Sequence, residues 1–306
     1  MKNLIITFVL ISILGICKAN SIDEPERTVI AISGLNLRAT PTIDGEIIAR
    51  VPYLDQVALL SEAVSPTDTL GTVNYGDHVH DVWTDHIMGE WVKVKYQDKE
   101  GYVFNAYLMY DRWEEPLQTE ECQYAISFDG LNCVDNIHRN KDIKWKGIFK
   151  NGEGYEMRDV QLSYYMSPDI DLGDWFATTT QSEEAPLFMI GAAGDQFSNG
   201  PVEGTYFDGG NYFDYSMDSA TVENITIHFL EEEAYLTIDE GDQQQKVILD
   251  YGIQILWKGD LDGDGKNDYV FTTGEESSST TLYLSSEAKE GQLVQPVASY
   301  FSGYCC

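Results

Sequence analysis

The sequence predicts an all-β protein, a small barrel followed by a larger antiparallel β domain. Three observations predict it. Between residues 28 and 110, short alternating apolar and polar runs are broken every few positions by Pro, Gly, Asn or Asp. From residue 122 onward, β-branched and aromatic runs recur between Gly, Asp and Asn, with no amphipathic helical period among them. The chain has 306 residues, at or beyond the length where one core usually splits, so two folded units are expected.

Charge narrows the function classes before any motif is read. The chain carries 19 Lys+Arg against 51 Asp+Glu, a formal net charge of −32. So little positive charge opposes binding to nucleic acid or to anionic membrane surfaces, and leaves cations, basic partners and neutral glycans open. Hydrophobic residues make up 43%, enough to build packed cores despite the charge.

Residues 1–19, MKNLIITFVLISILGICKA, place Lys2 before an apolar run from Leu4 to Ile16 and end on Cys17-Lys18-Ala19. This is the pattern of a secretory signal peptide, with cleavage expected between Ala19 and Asn20. The apolar run is too short for the ~20 residues of a membrane span. A lipoprotein signal through Cys17 is less favoured, because bulky Ile16 stands before the Cys. Removal of 1–19 would take Lys2 and Lys18 and no acid, moving the net charge from −32 to −34. No later segment approaches a membrane span, so the expected product is exported to the periplasm, the cell surface or the medium.

The barrel is expected over 28–110. Leu35 and Leu37 alternate with Asn36 and Arg38; Pro41 and Asp44-Gly45 mark turns before Ile47-Ile48 and Val51. Trp91-Val92-Lys93-Val94-Lys95-Tyr96 alternates cleanly, and Gly101-Tyr102-Val103 leads to Tyr107-Leu108. The blocks GLNLRATPTIDGEIIARV and GEWVKVKYQDKEGYVFNAYL, in that order, resemble the bacterial SH3-like domain of exported cell-envelope proteins. That resemblance implies a small barrel that recognises cell-wall peptides or glycans, with peptidoglycan as the partner class.

The sequence departs from the family pattern at an insertion, 62–82. At its end stands the only histidine cluster, Asp77-His78-Val79-His80-Asp81 followed by Asp85-His86. On a strand His78 and His80 share one face, so with His86 or a carboxylate they form a candidate Zn²⁺ site. The competing reading is a polar surface loop packed against Trp83.

An acidic stretch with Pro116, DRWEEPLQTEE at 111–121, is the expected linker. The C-terminal domain, 122–306, includes strand-like runs at 144–149, 160–166, 221–230, 253–257, 269–273 and 281–284. Aromatics crowd 155–215, among them Tyr164, Tyr165 and Trp175, and are expected chiefly in the core, with sugar stacking as the alternative.

Four cysteines follow the signal: Cys122, Cys133, Cys305 and Cys306. An even number in an exported chain suggests disulfides, with three pairings open. Phe128-Asp129-Gly130 reads as a hairpin turn between Cys122 and Cys133, which makes that local bridge the expected one, with Cys305 or Cys306 as alternative partners.

The strongest single motif is Gly259-Asp260-Leu261-Asp262-Gly263-Asp264-Gly265-Lys266-Asn267-Asp268. Carboxylates of Asp260, Asp262 and Asp264 at alternate positions, the Lys266 carbonyl, and the acid of Asp268 can wrap one Ca²⁺. Gly263 and Gly265 let the backbone curl so that alternate side chains converge. Phe271 stands where an EF-hand has its Glu, and strands are expected on both sides. The motif resembles the strand–loop–strand calcium loop of FG-GAP-type repeats; a Ca²⁺ that pins the hairpin is the favoured reading, with a Ca²⁺-dependent ligand or catalytic site as the alternative. One copy does not support a propeller.

No catalytic residue is nominated. The sequence has no Gly-x-Ser-x-Gly elbow, His-Glu-x-x-His helix or phosphate loop. Cysteines committed to disulfides would leave no free nucleophile. An exported binding protein of the cell envelope is the first reading. A secreted hydrolase acting on cell-wall or other glycan is the second, and a Ca²⁺-dependent lectin-like protein the third.

Overall fold

The computed structural model describes residues 25–76, 82–110, 122–128, 130–133, 140–166, 175–180, 184–207, 212–213, 219–229, 234–249, 252–274 and 278–302. The expected signal peptide, the 111–121 stretch, His78, His80, Cys305 and Cys306 lie outside these residues. Within them the protein is all-β: every regular element is a strand except a single 3₁₀ turn, Asn105–Tyr107.

The N-terminal unit is one seven-stranded antiparallel sheet. In spatial order its strands are Ile47–Val51, Leu35–Arg38, Lys99–Phe104, Trp91–Tyr96, Gln56–Ala63, Glu26–Val29 and Leu108–Tyr110. All seven contribute to one apolar cluster, through Val51, Leu37, Val103, Val94, Val57, Val29 and Leu108. A single core fed by every strand of one sheet is what a rolled sheet gives, in keeping with the barrel the alternation predicts. Trp91–Tyr96 shows the mechanism: Val92 and Val94 are buried while Lys95 is exposed. Register shifts at Leu59/Ser61 and Ser61/Ala63 bend the neighbouring strand around the core.

The insertion is a β-ribbon. Asp68–Gly76 pairs with Val82–Gly89 as a separate two-stranded sheet. Leu70 and Ile87 of the ribbon pack on a buried corner of the barrel made by Trp91, Phe104 and Ala106. Trp91 and Phe104 meet edge to face at 5.6 Å. The insertion therefore caps an aromatic corner, where a bare hairpin loop would leave it open.

Among the described residues the C-terminal region has four sheets: Gly130–Cys133, Trp175–Thr180 and Leu162–Met166 form a three-stranded one, and the other three are stacked. The middle one has six strands, with Gly204–Tyr206, Ile253–Gly259, Asp268–Thr273, Ser278–Leu284 and Gln295–Ser302 in order, and Tyr212–Phe213 beside Ile253–Gly259. One face sends Trp257, Val270 and Leu282 against a five-stranded sheet that supplies Ile148, Phe188 and Ile190. The other sends Ile255, Tyr269, Phe271 and Tyr283 against a four-stranded sheet that supplies Ile227, Leu236 and Ile238. Neighbours such as Tyr269 and Val270 thus serve opposite cores, as the two-residue strand period requires. The register shift between Ile255 and Trp257 lets this strand present residues to both cores.

Two local expectations are corrected. Residues 128–130 do not close a hairpin: Tyr124–Ser127 pairs with Phe188–Ala192, whereas Gly130–Cys133 pairs with Trp175–Thr180 in a different sheet. All four residues of Tyr124–Ser127 are buried, so this strand needs cover on both faces, which a local hairpin would not give. The run 221–230 is two strands, Ser219–Val222 and Ile225–Phe229, folded on each other about Glu223, whose φ is +53°.

The two units are packed together. Ile30 and Tyr53 of the barrel share a buried cluster with Leu162, Tyr164 and Met189 of the C-terminal region. Tyr53 and Tyr164 face each other across this seam at 6.3 Å.

Candidate functional site

The aspartate loop joins two paired strands, Ile253–Gly259 and Asp268–Thr273, so it is held at both ends by the middle sheet. Gly263 and Gly265 both have φ +82°, a conformation that costs glycine little, and a Cβ at either would meet nothing within 4 Å. It is the backbone angle, and not crowding, that calls for glycine here.

Three of the predicted ligands come together. Carboxylate oxygens of Asp260, Asp262 and Asp268 lie within 4.8 Å of one another. Asp260 accepts from the Gly263, Asp264 and Gly265 amides at 2.7, 3.1 and 2.9 Å, which shapes the loop around it. Asp268 has 0% exposure. Its carboxylate accepts from the Leu261 amide at 2.7 Å and the Ser285 amide at 2.8 Å.

Asp264 stands apart from that group. It accepts from the Lys266 amide at 2.8 Å and the Ser285 hydroxyl at 2.9 Å, with the Lys266 ammonium at 3.9 Å. Ser286 donates its hydroxyl to Asp262. Ser285 and Ser286 were not among the predicted site residues; the signal was their place directly after the strand that neighbours Asp268–Thr273.

The electrostatics of the loop are unfavourable for three bare carboxylates. Burial pushes the Asp268 carboxyl up to about 7, with the Asp262 charge adding to the shift and the Ser285 and Leu261 amides opposing it. Burial likewise raises Asp262, assisted by Asp264 and Asp260 and opposed by Ser286. Desolvated like charges this close demand a proton or a cation. All-oxygen donors of this kind suit a hard cation such as Ca²⁺.

The described residues bring together no other predicted site. His86 is exposed on Val82–Gly89, opposite Thr72, while His78 and His80 lie outside the described residues. Cys122 accepts an amide hydrogen bond from Asn140 through its backbone carbonyl at 2.9 Å. Cys133 ends the strand Gly130–Cys133, and its side chain lies outside what is described. The hairpin argument for their bridge is gone. Of the crowded aromatics, Tyr164 and Tyr165 are core residues at 2% and 0% exposure.

A cleft runs along the seam between barrel and C-terminal region. It comprises two adjoining cavities, of about 420 and about 290 Å³, that share Ile32, Ser33, Gly34 and Tyr164. The smaller is bordered by the aromatic corner Trp91 and Phe104, with Leu70 of the ribbon and Arg38.

Residues 33–109 match the bacterial SH3 domain family. The matched stretch contains the Leu-Asn-Leu-Arg opening, the ribbon and the Trp91–Tyr96 strand, and covers every strand of the rolled sheet except Glu26–Val29 and the final residue Tyr110. No curated protein and no solved structure matches the chain. Residues 33–109 therefore have a family match, and the C-terminal region rests on its own geometry.

Proposed function

We propose that the protein is exported and binds the bacterial cell envelope, its SH3-like barrel recognising cell-wall peptide or glycan, while its C-terminal region carries one structural Ca²⁺. The match of residues 33–109 to the bacterial SH3 domain family carries this reading. The signal-like residues 1–19 support export, and a net charge of −32 disfavours nucleic acid as the alternative polymer.

The Ca²⁺ role follows from the loop. Asp260, Asp262 and Asp268 supply carboxylates, and the Lys266 carbonyl is the expected backbone donor. A cation there relieves the repulsion around buried Asp268 and ties the turn to Ser285 and Ser286 through their bonds to Asp264 and Asp262. It is a staple for the middle sheet and takes no part in ligand chemistry.

Sedimentation with purified peptidoglycan, combined with a turbidity assay, tests the function. The expected result is retention on the wall without clearing. Clearing would replace binding by hydrolysis, and absence of retention would remove the wall as partner. Mass spectrometry of the exported chain checks the leader: an N-terminus at Asn20 is expected, and a lipid on Cys17 would contradict it.

A further inference from the structure

The larger seam cavity stands out electrically. The chain holds 51 acids in 306 residues, yet the described residues lining the two adjoining cavities include no carboxylate and three cations, Arg38, Arg50 and Lys141. Arg38 is engaged with the Gly45 carbonyl at 2.7 Å. Lys141 reaches Asp55 only at 3.7 Å. Arg50 has neither ion pair nor side-chain hydrogen bond among the described residues. Its side chain lies across Gly34, where a Cβ would come within 3.1 Å of Nε, so its guanidinium is carried over the cavity instead of along the outer sheet.

The remaining walls are mostly apolar and come from both units: Ile32, Pro52 and Tyr53 from the barrel, Ile143, Trp145 and Tyr164 from the C-terminal region, with Ser33 and Asn140 as polar neighbours. At about 420 Å³ the cavity is the size of a small-molecule site, and seams between folded units are where such sites are common. The half-buried Trp145 can lie against an aliphatic or sugar-ring body, and a guanidinium and an ammonium lining one cavity attract a carboxylate, the Arg fork matching its two oxygens. A dianion suits the site less well, since the surrounding charge is strongly negative and Lys141 is already shared with Asp55.

The geometry points to this seam cavity as a binding site for a carboxylate carried on an apolar or ring body, read jointly by Arg50 of the barrel and Lys141 of the C-terminal region. The choice of ligand size and body rests on the cell-wall reading above; the anion site itself does not. A peptide C-terminus and an acidic amino sugar share this chemistry.

The test uses the mature full chain in calorimetric titrations with acetyl-trialanine, its C-terminal amide, N-acetylmuramic acid, its methyl ester and inorganic phosphate. One of the two acids is expected to bind and its neutral counterpart to bind at least roughly tenfold more weakly, as loss of a charge-assisted pair implies. Arg50→Glu with Lys141→Glu should remove that binding while the melting temperature holds; Arg50→Gln should weaken it alone. Which acid binds identifies the source. Equal binding of acid and neutral probes, no binding of either acid, or tighter binding of inorganic phosphate would each overturn the assignment. Wall sedimentation separates the two readings: if the double variant is retained like the wild type, the wall reading stands and the cavity falls. If the acid binds through Arg50 but nothing sediments, the cavity stands and the wall reading falls.

Discussion

The 260–268 loop and the seam cavity are opposite solutions to the same excess of negative charge. The loop concentrates acids until one, Asp268, is fully buried beside two others. Among the described residues the cavity is lined by no acid and sets two cations against mostly apolar walls. The contrast teaches that in a chain this acidic the informative places are departures from the average. Among the described residues most carboxylates lie in water and say little. A carboxylate that leaves water needs a counter-charge, and a surface without carboxylates is one where an anion can approach.

The largest effect is expected inside the loop. In EDTA, Asp268→Ala should lower the free energy of unfolding in urea by about 3 kcal/mol, because two buried amides, those of Leu261 and Ser285, lose their acceptor. Asp268→Asn should cost less, since its single amide oxygen still accepts from one of the two amides. Equal losses for the two variants would show that charge, and not amide satisfaction, sets the role of Asp268.

Next comes the cation. Saturating Ca²⁺, at about 100 times its dissociation constant, adds about 2.7 kcal/mol by mass action, which raises the melting temperature by roughly 5–10 °C over the EDTA sample. Asp260→Ala combined with Asp264→Ala should make the two melting curves coincide. Identical curves in the unmutated chain would remove the ion from the account.

The seam sharpens the comparison from the other side. Arg50→Glu with Lys141→Glu changes exposed side chains, so stability should stay within about 0.5 kcal/mol while wall retention drops. The smallest effect belongs to the exposed His86. His86→Ala should leave melting unchanged, and Zn²⁺ titration should give no binding tighter than about 1 mM. Submicromolar Zn²⁺ binding lost in that variant would revive the histidine cluster.

What could be read in the sequence depended on the span of the interaction. Trp91-Val92-Lys93-Val94 declares its strand because alternation is local, and the aspartates declare their loop because all five predicted ligands fall within nine positions. The serines that close the loop were missed because Ser285 and Ser286 reach it across a neighbouring strand. The turn at 128–130 was misread because nothing local reveals that Tyr124–Ser127 is covered on both faces. The cavity was invisible for the same reason: Arg50, Lys141 and Tyr164 are strangers in sequence, and only packing of Ile30 and Tyr53 against Leu162 and Met189 brings them to one place.

The most direct test of the central claim is peptidoglycan sedimentation in Ca²⁺, below the melting temperature of every variant, comparing Asp260→Ala/Asp264→Ala with Arg50→Glu/Lys141→Glu. The account predicts that the loop variant is retained like the wild type and the seam variant stays in solution. Loss of retention in the loop variant alone would contradict it, placing wall recognition at the aspartate loop instead of the barrel's cleft.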